Sequence, residues 1–321
     1  MLPVTYRDIE AALPRVHAVL QPTPLIEWPG LSRQLDCSFY IKHENHQPVG
    51  AFKVRGGVNL ASTLTDQERT EGLLGVSTGN HGQSLAFAAR HVGCPCTIVV
   101  PANGNQDKNR AMRELGAELI EHGRDFDEAR EHLEQLLETR GGRYVHSANE
   151  PLLISGVGSM AWEIFDQLPE PDVILVPVGL GSGVCGTCIA TKHRRPKTKV
   201  IGVQATNASS VARSWASGKL ESDSHIETWA EGLATRMPAA MTLEIMRDLM
   251  DDVILVQEDE MRTAAYQLLR HTHNLAEGAG AATLAAATQQ KSRFRGQRVV
   301  AILSGGNLDL TELPRILAVG Q

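Results

Sequence analysis

The sequence predicts an α/β protein with doubly wound, mostly parallel sheets. Short apolar runs rich in β-branched residues alternate with helical patterns along all 321 residues, as in consecutive βαβ units. Several of these runs are followed directly by loops of glycine and small polar residues. Ligands of such sheets bind at the carboxyl ends of the strands, so we expect the chemistry of this chain to lie in those loops.

The predicted elements follow from residue type and period. A strand is expected where four to seven apolar residues run together, and a helix where apolar residues recur every three or four positions. Acidic residues at the start of one segment also indicate a helix N-terminus. The predicted strands are Thr97–Val100, Glu118–Glu121, Asp172–Val178, Lys199–Val203, Val253–Val256 and Arg298–Leu303, and the predicted helices include Asp107–Leu115, Asp125–Glu138, Glu258–His271 and Ala279–Gln289.

The predicted strands fall into two groups along the chain. No repeat, low-complexity tract or flexible linker separates them. We therefore expect a small domain, residues 69–148, inserted between the two parts of a larger domain, residues 1–68 and 149–321.

Composition excludes several classes of protein. A net charge of −6 lacks the basic excess that neutralises phosphate backbones, so we expect no nucleic-acid partner. The segment Met1–Asp8 has no basic leader or apolar h-region, and no run of about 18 apolar residues occurs, so we expect a cytoplasmic protein without a membrane partner. The five cysteines are too few for a disulfide framework, and Cys185 and Cys188 are interpreted as small buried helix residues.

The first loop with chemical potential is Glu44–Gly57, which places Lys53 between glycines and beside Phe52. A lysine in a confined, partly desolvated site loses basicity and can act as an imine-forming nucleophile and base. Taken alone, however, a lysine is more commonly a solvated surface residue.

The second loop, Ser77–Ser84, precedes a stretch with helical period. Free backbone amides at a helix N-terminus, together with hydroxyl and amide side chains, form a site for a carboxylate. An ordinary helix cap by Ser77 or Asn80 is an equally good interpretation, and His81 could be a buried polar residue.

The third loop, Val178–Val184, follows a predicted strand and has glycine at alternate positions. Its amides can point inward as an anion nest, for which phosphate is the natural guest. A nicotinamide-binding loop would require glycine where Val184 stands. The fourth loop, Leu303–Asn307, also follows a strand and presents the hydroxyl of Ser304, which could equally cap a helix.

These four motifs occur in the order found in the fold-type II pyridoxal-phosphate enzymes, and the chain resembles their serine/threonine dehydratase and serine racemase branch from Thr23 to Asn307. The resemblance implies two α/β lobes of the tryptophan synthase β type, with pyridoxal 5′-phosphate between them, and a homodimer or higher homo-oligomer.

The resemblance also implies the role of each matched residue. Lys53 forms the imine with the cofactor and then handles the α-proton, Asn80 contacts the 3-hydroxyl oxygen, and Ser304 faces the pyridine nitrogen. Ser77 and Thr78 are the further catalytic candidates. The phosphate is expected on Gly179, Leu180, Gly181, Ser182 and Gly183, with Phe52 beside the cofactor, and the substrate carboxylate on Ser77, Thr78, Gly79, Asn80 and His81.

The activity that the resemblance implies is removal of water and ammonia from a small β-hydroxy amino acid, L-threonine or L-serine. A hydroxyl at Ser304 makes the cofactor a weaker electron sink than an aspartate would, which favours elimination. Ala51 stands where the dehydratases and racemase of the family usually have serine. Thr78 stands where racemases have the serine that acts as a second acid/base. Open alternatives are therefore serine racemisation, a different β-hydroxy substrate (hydroxyaspartate, phenylserine or a hydroxyectoine-degradation intermediate), and a catalytically silent binding protein, which Lys53 disfavours.

The chain differs from the family's pattern in two further ways, from which we expect neither a tightly bound metal nor a regulatory domain. The relatives bind a divalent cation through two acids, which Gln204 and Ser210 replace, and hard cations need charged oxygen ligands. We expect no tight metal there. Only 14 residues follow Asn307, which leaves no room for a regulatory domain, so we expect a degradative enzyme without feedback by isoleucine.

Overall fold

The larger of two sheets is built around a central strand from the end of the chain. The computed structural model describes residues 2–124 and 126–320. Strand β10 lies between β2 and β7, and every pairing is parallel except that of β1 with β2. In the order β1-β2-β10-β7-β8-β9, the strands are Leu25–Glu27, Ser38–His43, Arg298–Leu303, Val173–Pro177, Lys199–Ala205 and Asp252–Val256.

The smaller sheet is wholly parallel and comes from one continuous part of the sequence. Its order is β5-β4-β3-β6. The strands are β3 (Leu73–Val76), β4 (Cys96–Val100), β5 (Glu118–Glu121) and β6 (Arg143–Tyr144). The α/β class with mostly parallel sheets is thus confirmed.

Helices cover both faces of the large sheet, whose central strands β10 and β7 are buried on both sides. In β10, Val299 and Ala301 join one apolar core, while Val300 and Ile302 join the core on the opposite face. A strand buried on both faces is apolar at successive positions rather than at alternate ones. This is why β10 and β7 stand out in the sequence as continuous apolar runs.

The helices begin and end at recognisable signals. The helix Glu258–Thr272 has acidic residues throughout its first turn and Arg270 and His271 in its last, as the helix dipole favours. The described α-helices are α1 Tyr6–His17, α2 Pro29–Leu35, α3 Val54–Ala61, α4 Asp66–Glu71, α5 Asn80–Val92, α6 Gln106–Glu114, α7 Phe126–Arg140, α8 Pro151–Gln167, α9 Ser182–Arg194, α10 Ser210–Ser217, α11 Ala240–Leu249, α12 Glu258–Thr272, α13 Gly278–Gln289, α14 Lys291–Phe294 and α15 Leu313–Ala318.

The predicted elements are present with small shifts at their ends. The predicted strand Glu118–Glu121 and the predicted strand Arg298–Leu303 have the observed bounds, and the others differ by one or two residues. Asp125, the first residue of one predicted helix, lies outside the described residues. Strands β1, β2, β3 and β6 have no counterpart among the predicted ones.

A buried ionic network holds α3 in place. The guanidinium of Arg55, fully buried, donates to both carboxylate oxygens of Glu44 and both of Glu163 at 2.6–2.8 Å. Lys42 Nζ also donates to Glu163 Oε2 at 2.7 Å. These side chains come from β2, the turn after it, α3 and α8, so the network joins four segments just behind the start of α3.

Candidate active site

Lys53 lies at the N-terminal end of α3, directly after the loop that enters it. Its Nζ donates to the carbonyl oxygen of Ser147 at 3.1 Å and to the hydroxyl of Ser182 at 3.0 Å. Desolvation by the surrounding protein lowers the pKa of Lys53 to about 8. A substantial fraction of an amine with such a pKa is uncharged near neutral pH, which is the form that attacks a carbonyl carbon.

The segment that carries Lys53 is fixed to the fourth motif through the backbone. Phe52 N donates to Ser304 O at 3.0 Å, and Ala51 pairs with Gly305 in an isolated antiparallel bridge. The motif at the end of β10 therefore sets the position of the loop that precedes α3.

The glycine loop lies between β7 and α9. Gly181 has φ +103°, a conformation that favours glycine. A Cβ on Gly183 would lie 3.0 Å from the ring of Phe52, so the absent side chain leaves room for that ring. The amides of residues 179–183 have no acceptor within the described part of the chain, and they surround the N-terminus of α9, which makes this loop a site for a phosphate.

The Ser77–His81 loop leads from β3 into α5. Ser77 Oγ accepts from Gly79 N at 3.0 Å and from Gly82 N at 2.8 Å, so its hydroxyl shapes the loop in the manner of a helix cap. The neighbouring Thr78 is exposed. The amides of Asn80 and His81 have no acceptor among residues 2–124 and 126–320 and remain available to an anion.

Asn80 and His81 make different contacts. Asn80 Oδ1 accepts from Asn307 Nδ2 at 2.7 Å, and Asn80 Nδ2 donates to Glu277 Oε1 at 2.8 Å. His81 is buried with Nε2 3.0 Å from Val145 O. Burial, followed by the charge of Lys53, lowers the pKa of His81 to about 3, so this imidazole is neutral at physiological pH.

Ser304 is a buried residue whose hydroxyl its protein neighbours do not use. The residue is 2 % exposed, and no hydrogen bond of its Oγ is found in the portion of the chain that the structure covers. The Oγ is not among the fully enclosed side-chain atoms that lack a partner, so the small exposed part of this residue leaves the hydroxyl open to a ligand. A ligand atom is therefore the natural partner for Ser304.

The four predicted loops meet at one place. Lys53 contacts the third loop through Ser182, and its carbonyl oxygen accepts from Ser84 Oγ of the second loop at 2.7 Å. The second loop contacts the fourth through Asn80 and Asn307.

Sequence reasoning missed two contributors. Glu277 is buried, and burial raises its pKa to about 7, against the lowering effects of the Lys108 charge and the Asn80 hydrogen bond. The sequence signal for Glu277 was an acidic residue directly before the start of α13 at Gly278. An acidic residue at such a place usually only interacts favourably with the helix dipole. Ser147 contributes a carbonyl oxygen, which every residue has, so its identity carried no signal.

The side chains of Gln204 and Ser210 both hydrogen-bond to the backbone. Gln204 is fully buried and its Oε1 accepts from Ala212 N at 2.9 Å. Ser210 Oγ donates to Thr235 O at 2.7 Å. Both side chains thus bind backbone groups of their own lobe, and the expected absence of a tight metal stays a prediction.

The fold and the site define a class: an α/β enzyme with a lysine of lowered pKa between two anion-binding loops. Residues 16–305 match the family described as pyridoxal-phosphate dependent enzyme, and the chain belongs to this family. It is 37 % identical over 317 residues to L-threonine ammonia-lyase of Thermotoga maritima, covering 99 % of this chain and 79 % of that protein.

Solved structures agree with this membership. The processed form of threonine deaminase isoform 2 from Solanum lycopersicum superposes with a TM-score of 0.93 at 31 % identity, covering 99 % of this chain and 92 % of that one. Maize serine racemase gives a TM-score of 0.93 at 28 % identity, covering 99 % and 98 %. Both a deaminase and a racemase thus share this architecture.

The residues present fit the family's cofactor, pyridoxal 5′-phosphate. The unpaired amides of the glycine loop suit its phosphate, the unused Ser304 hydroxyl suits a neutral ring nitrogen, and Lys53 suits its aldehyde carbon. Among the described residues, no helix is long and apolar enough to cross a membrane.

Proposed function

We propose that this chain is an ammonia-lyase that eliminates water from L-threonine or L-serine, after which water hydrolyses the enamine product, through its imine form, to a 2-oxo acid and ammonia. The observation that carries the proposal is Lys53, whose amine has a lowered pKa and lies between Ser147 O and Ser182 Oγ. Binding alone needs no such amine. The relatives named threonine ammonia-lyase and threonine deaminase support the same reaction.

Each loop has a part in this reaction. When bound, pyridoxal phosphate supplies the electron sink that makes the α-proton of the amino acid acidic. Lys53 holds the cofactor and, once released, takes the α-proton at its Nζ. The amides of Gly179, Leu180, Gly181, Ser182 and Gly183 hold the phosphate, while the loop of Ser77, Thr78, Gly79, Asn80 and His81 holds the substrate carboxylate.

Two positions favour elimination over racemisation. Ser304 offers the ring nitrogen a hydroxyl instead of a carboxylate, which gives negative charge at the α-carbon little stabilisation, so loss of the β-hydroxyl accompanies loss of the α-proton. Thr78 stands at the position where racemases need a proton donor on the side of the cofactor opposite Lys53. The structural likeness to maize serine racemase keeps racemisation as the second candidate activity.

The identity of the β-hydroxy substrate is the open part of the proposal. Ala51 is fully buried beside Gly305 and lacks the hydroxyl common at this position in the dehydratases. The missing hydroxyl favours, as the alternative substrate of the same elimination, hydroxyaspartate, phenylserine or a hydroxyectoine-degradation intermediate.

A substrate panel tests the proposal. Purified protein loaded with pyridoxal phosphate is given L-threonine, L-serine, both hydroxyaspartate diastereomers and phenylserine, and release of ammonia and of 2-oxo acid is followed. We expect equal amounts of both products, fastest from L-threonine or L-serine. Absence of 2-oxo acid from every member would overturn the proposal.

We also propose the division of the chain into a large lobe, residues 1–68 and 149–321, and a small lobe, residues 69–148, with the cofactor between them. The small sheet, whose strands all lie between residues 73 and 144, supports this division. By the likeness to its family we propose a cytoplasmic homo-oligomer, most simply a homodimer. Sedimentation of the purified protein tests the oligomeric state.

A further inference from the structure

An ion pair that the proposed reaction does not use joins two segments that lie against the two binding loops. Lys108 Nζ lies 2.6 Å from Glu231 Oε2, with 10 % of the lysine side chain and 40 % of the glutamate side chain exposed. Lys108 belongs to α6, beside the small sheet, and Glu231 to a short 3₁₀ helix, Glu231–Leu233, before α11. A pair with one exposed partner contributes about 0–1 kcal/mol to stability, so stability alone does not explain its location.

The Lys108 side chain lies on the substrate loop. A Cβ built on Gly79 would be 3.1 Å from Cδ of Lys108, 3.7 Å from its Cε and 3.8 Å from its Nζ. The aliphatic stem thus covers the backbone of this loop at the residue that precedes α5, while the charged end continues to Glu231. Any shift of the stem would be felt directly at Gly79.

Glu231 stands on a segment that lies against the phosphate loop. A Cβ on Gly179 would be only 2.3 Å from the carbonyl oxygen of Gly232, so the two backbones are in direct contact. The position of Glu231, next to Gly232, is therefore tied to the position of Gly179.

A second contact runs parallel to the pair. Asn105, which precedes α6, donates from Nδ2 to Asp309 Oδ2 at 3.0 Å. A cavity of about 20 Å³, large enough for roughly one water, lies between Lys108, Glu231 and Glu277. The N-terminal end of α6 thus meets the large-sheet side of the molecule directly at the candidate site.

We propose that Lys108 and Glu231 are positioning residues, which hold the loop Ser77–His81 and the loop Gly179–Gly183 at the separation that lets both loops bind their anions at once. The proposal rests on the proposed function, because it requires a substrate carboxylate on one loop and a cofactor phosphate on the other. Neither residue takes or gives a proton. Their effect is on where the carboxylate is held.

Charge variants of the holoenzyme test this proposal. Lys108→Met keeps the stem but removes the charge, Glu231→Gln removes the partner charge, and the double variant Lys108→Glu/Glu231→Lys restores a pair in the opposite sense. Small misplacements of a bound group cost up to about 10²-fold. We expect each single variant to raise KM for the preferred β-hydroxy amino acid by about tenfold or more with kcat within about threefold, and the double variant to regain most of the loss.

Lys192→Met is the matched control. Lys192 Nζ also lies 2.6 Å from a carboxylate, that of Asp251, with 23 % and 17 % of the two side chains exposed, but in the last turn of α9, at the opposite end of that helix from the glycine loop. Its KM should stay within about twofold of the parent value. If Lys108 and Glu231 have a purely structural role, the three single variants should lower the melting temperature equally and leave KM unchanged. That result would overturn the proposal.

A binding measurement separates this proposal from the proposed function. The concentration of L-serine that half-changes the visible spectrum of the bound cofactor reports binding of the amino acid whether or not 2-oxo acid is released. If the wild-type protein binds L-serine but releases no 2-oxo acid, the proposed function fails, and the spectral titration still tests the positioning proposal. The positioning proposal would be overturned if the half-saturating concentration of L-serine were the same in Lys108→Met and Glu231→Gln as in the wild-type protein.

Discussion

At the scale of single residues, Lys53 is the position on which the assignment depends. Because its amine is desolvated and contacts Ser147 and Ser182, we expect Lys53→Ala to lose both the visible absorption of the lysine-bound cofactor and at least about 10³-fold of the ammonia release. Absorption spectra and turnover of the purified variant measure this. Lys199→Ala, at a lysine with 63 % of its side chain exposed, should change neither, and an intact band in Lys53→Ala would place the imine elsewhere.

Thr78 bears on the choice between elimination and racemisation. Its secondary hydroxyl is exposed on the substrate loop and carries an extra methyl group compared with serine. We expect elimination to outpace racemisation, and Thr78→Ser to raise racemisation while elimination stays within about tenfold. Chiral analysis of unreacted substrate during turnover measures both. Enantiomer formed by the parent enzyme as fast as 2-oxo acid would contradict this expectation.

Glu277 should make the stability of the cofactor-free protein depend on pH. Burial raises its pKa to about 7 from 4.5, so the folded state binds the proton more tightly than the unfolded state does. The stability linked to this proton is present below about pH 4.5 and is lost as pH rises through about 7, a loss of roughly 3 kcal/mol at most.

Glu277→Gln removes this titration and keeps an oxygen that can accept from Asn80. We therefore expect the melting temperature of the variant, relative to the parent, to be higher at pH 8 than at pH 5. Thermal unfolding at both pH values measures the difference. Equal differences at the two values would show that Glu277 does not titrate in this range.

At the scale of elements, the start of α3 depends on the buried network around Arg55. Arg55→Met would leave Glu44 and Glu163 buried without their main partner, at a cost of about 3–5 kcal/mol of unfolding free energy. Denaturant unfolding measures the loss. Arg140→Met, which removes an exposed pair with Glu118, should cost less than about 1 kcal/mol, and similar losses in the two variants would refute the special role of the network.

The same scale shows what could be predicted from the sequence. Strands buried on both faces, such as β7 and β10, are apolar throughout and were predicted nearly to the residue. Strand β2 was not, because it contains Lys42, whose burial depends on its contacts with Glu163 from α8 and with the carbonyl oxygen of Thr23. Strands β1 and β6 have three and two residues, too few to form a pattern.

In the candidate site, too, the residues that were predicted are those with a local sequence pattern. Lysine and glycine loops are recognisable because their chemistry depends on residue type and local order, as in Lys53 and Gly179–Gly183. Glu277 and Lys108 were not recognised, because their significance comes from distant partners. Asn80 lies 197 residues from Glu277, and Glu231 lies 123 residues from Lys108.

At the scale of the whole molecule, activity should not depend on a divalent cation. Gln204 and Ser210 are neutral residues whose side chains hydrogen-bond to backbone groups, and neutral ligands hold hard cations weakly. We expect dialysis against a chelator to leave at least about half of the ammonia release. A loss that magnesium or calcium reverses would show that another set of ligands is used.

The central place of β10 has a consequence for how the chain acquires its fold. Strands β2 and β7 are synthesised long before β10, yet each pairs with it. Until the last strand emerges from the ribosome, both expose unpaired edges of the kind that promote aggregation, whereas the four strands of the small sheet are already complete. The large sheet can therefore close only late and through contacts between distant parts of the chain, and we expect its closure to be slower than that of the small sheet.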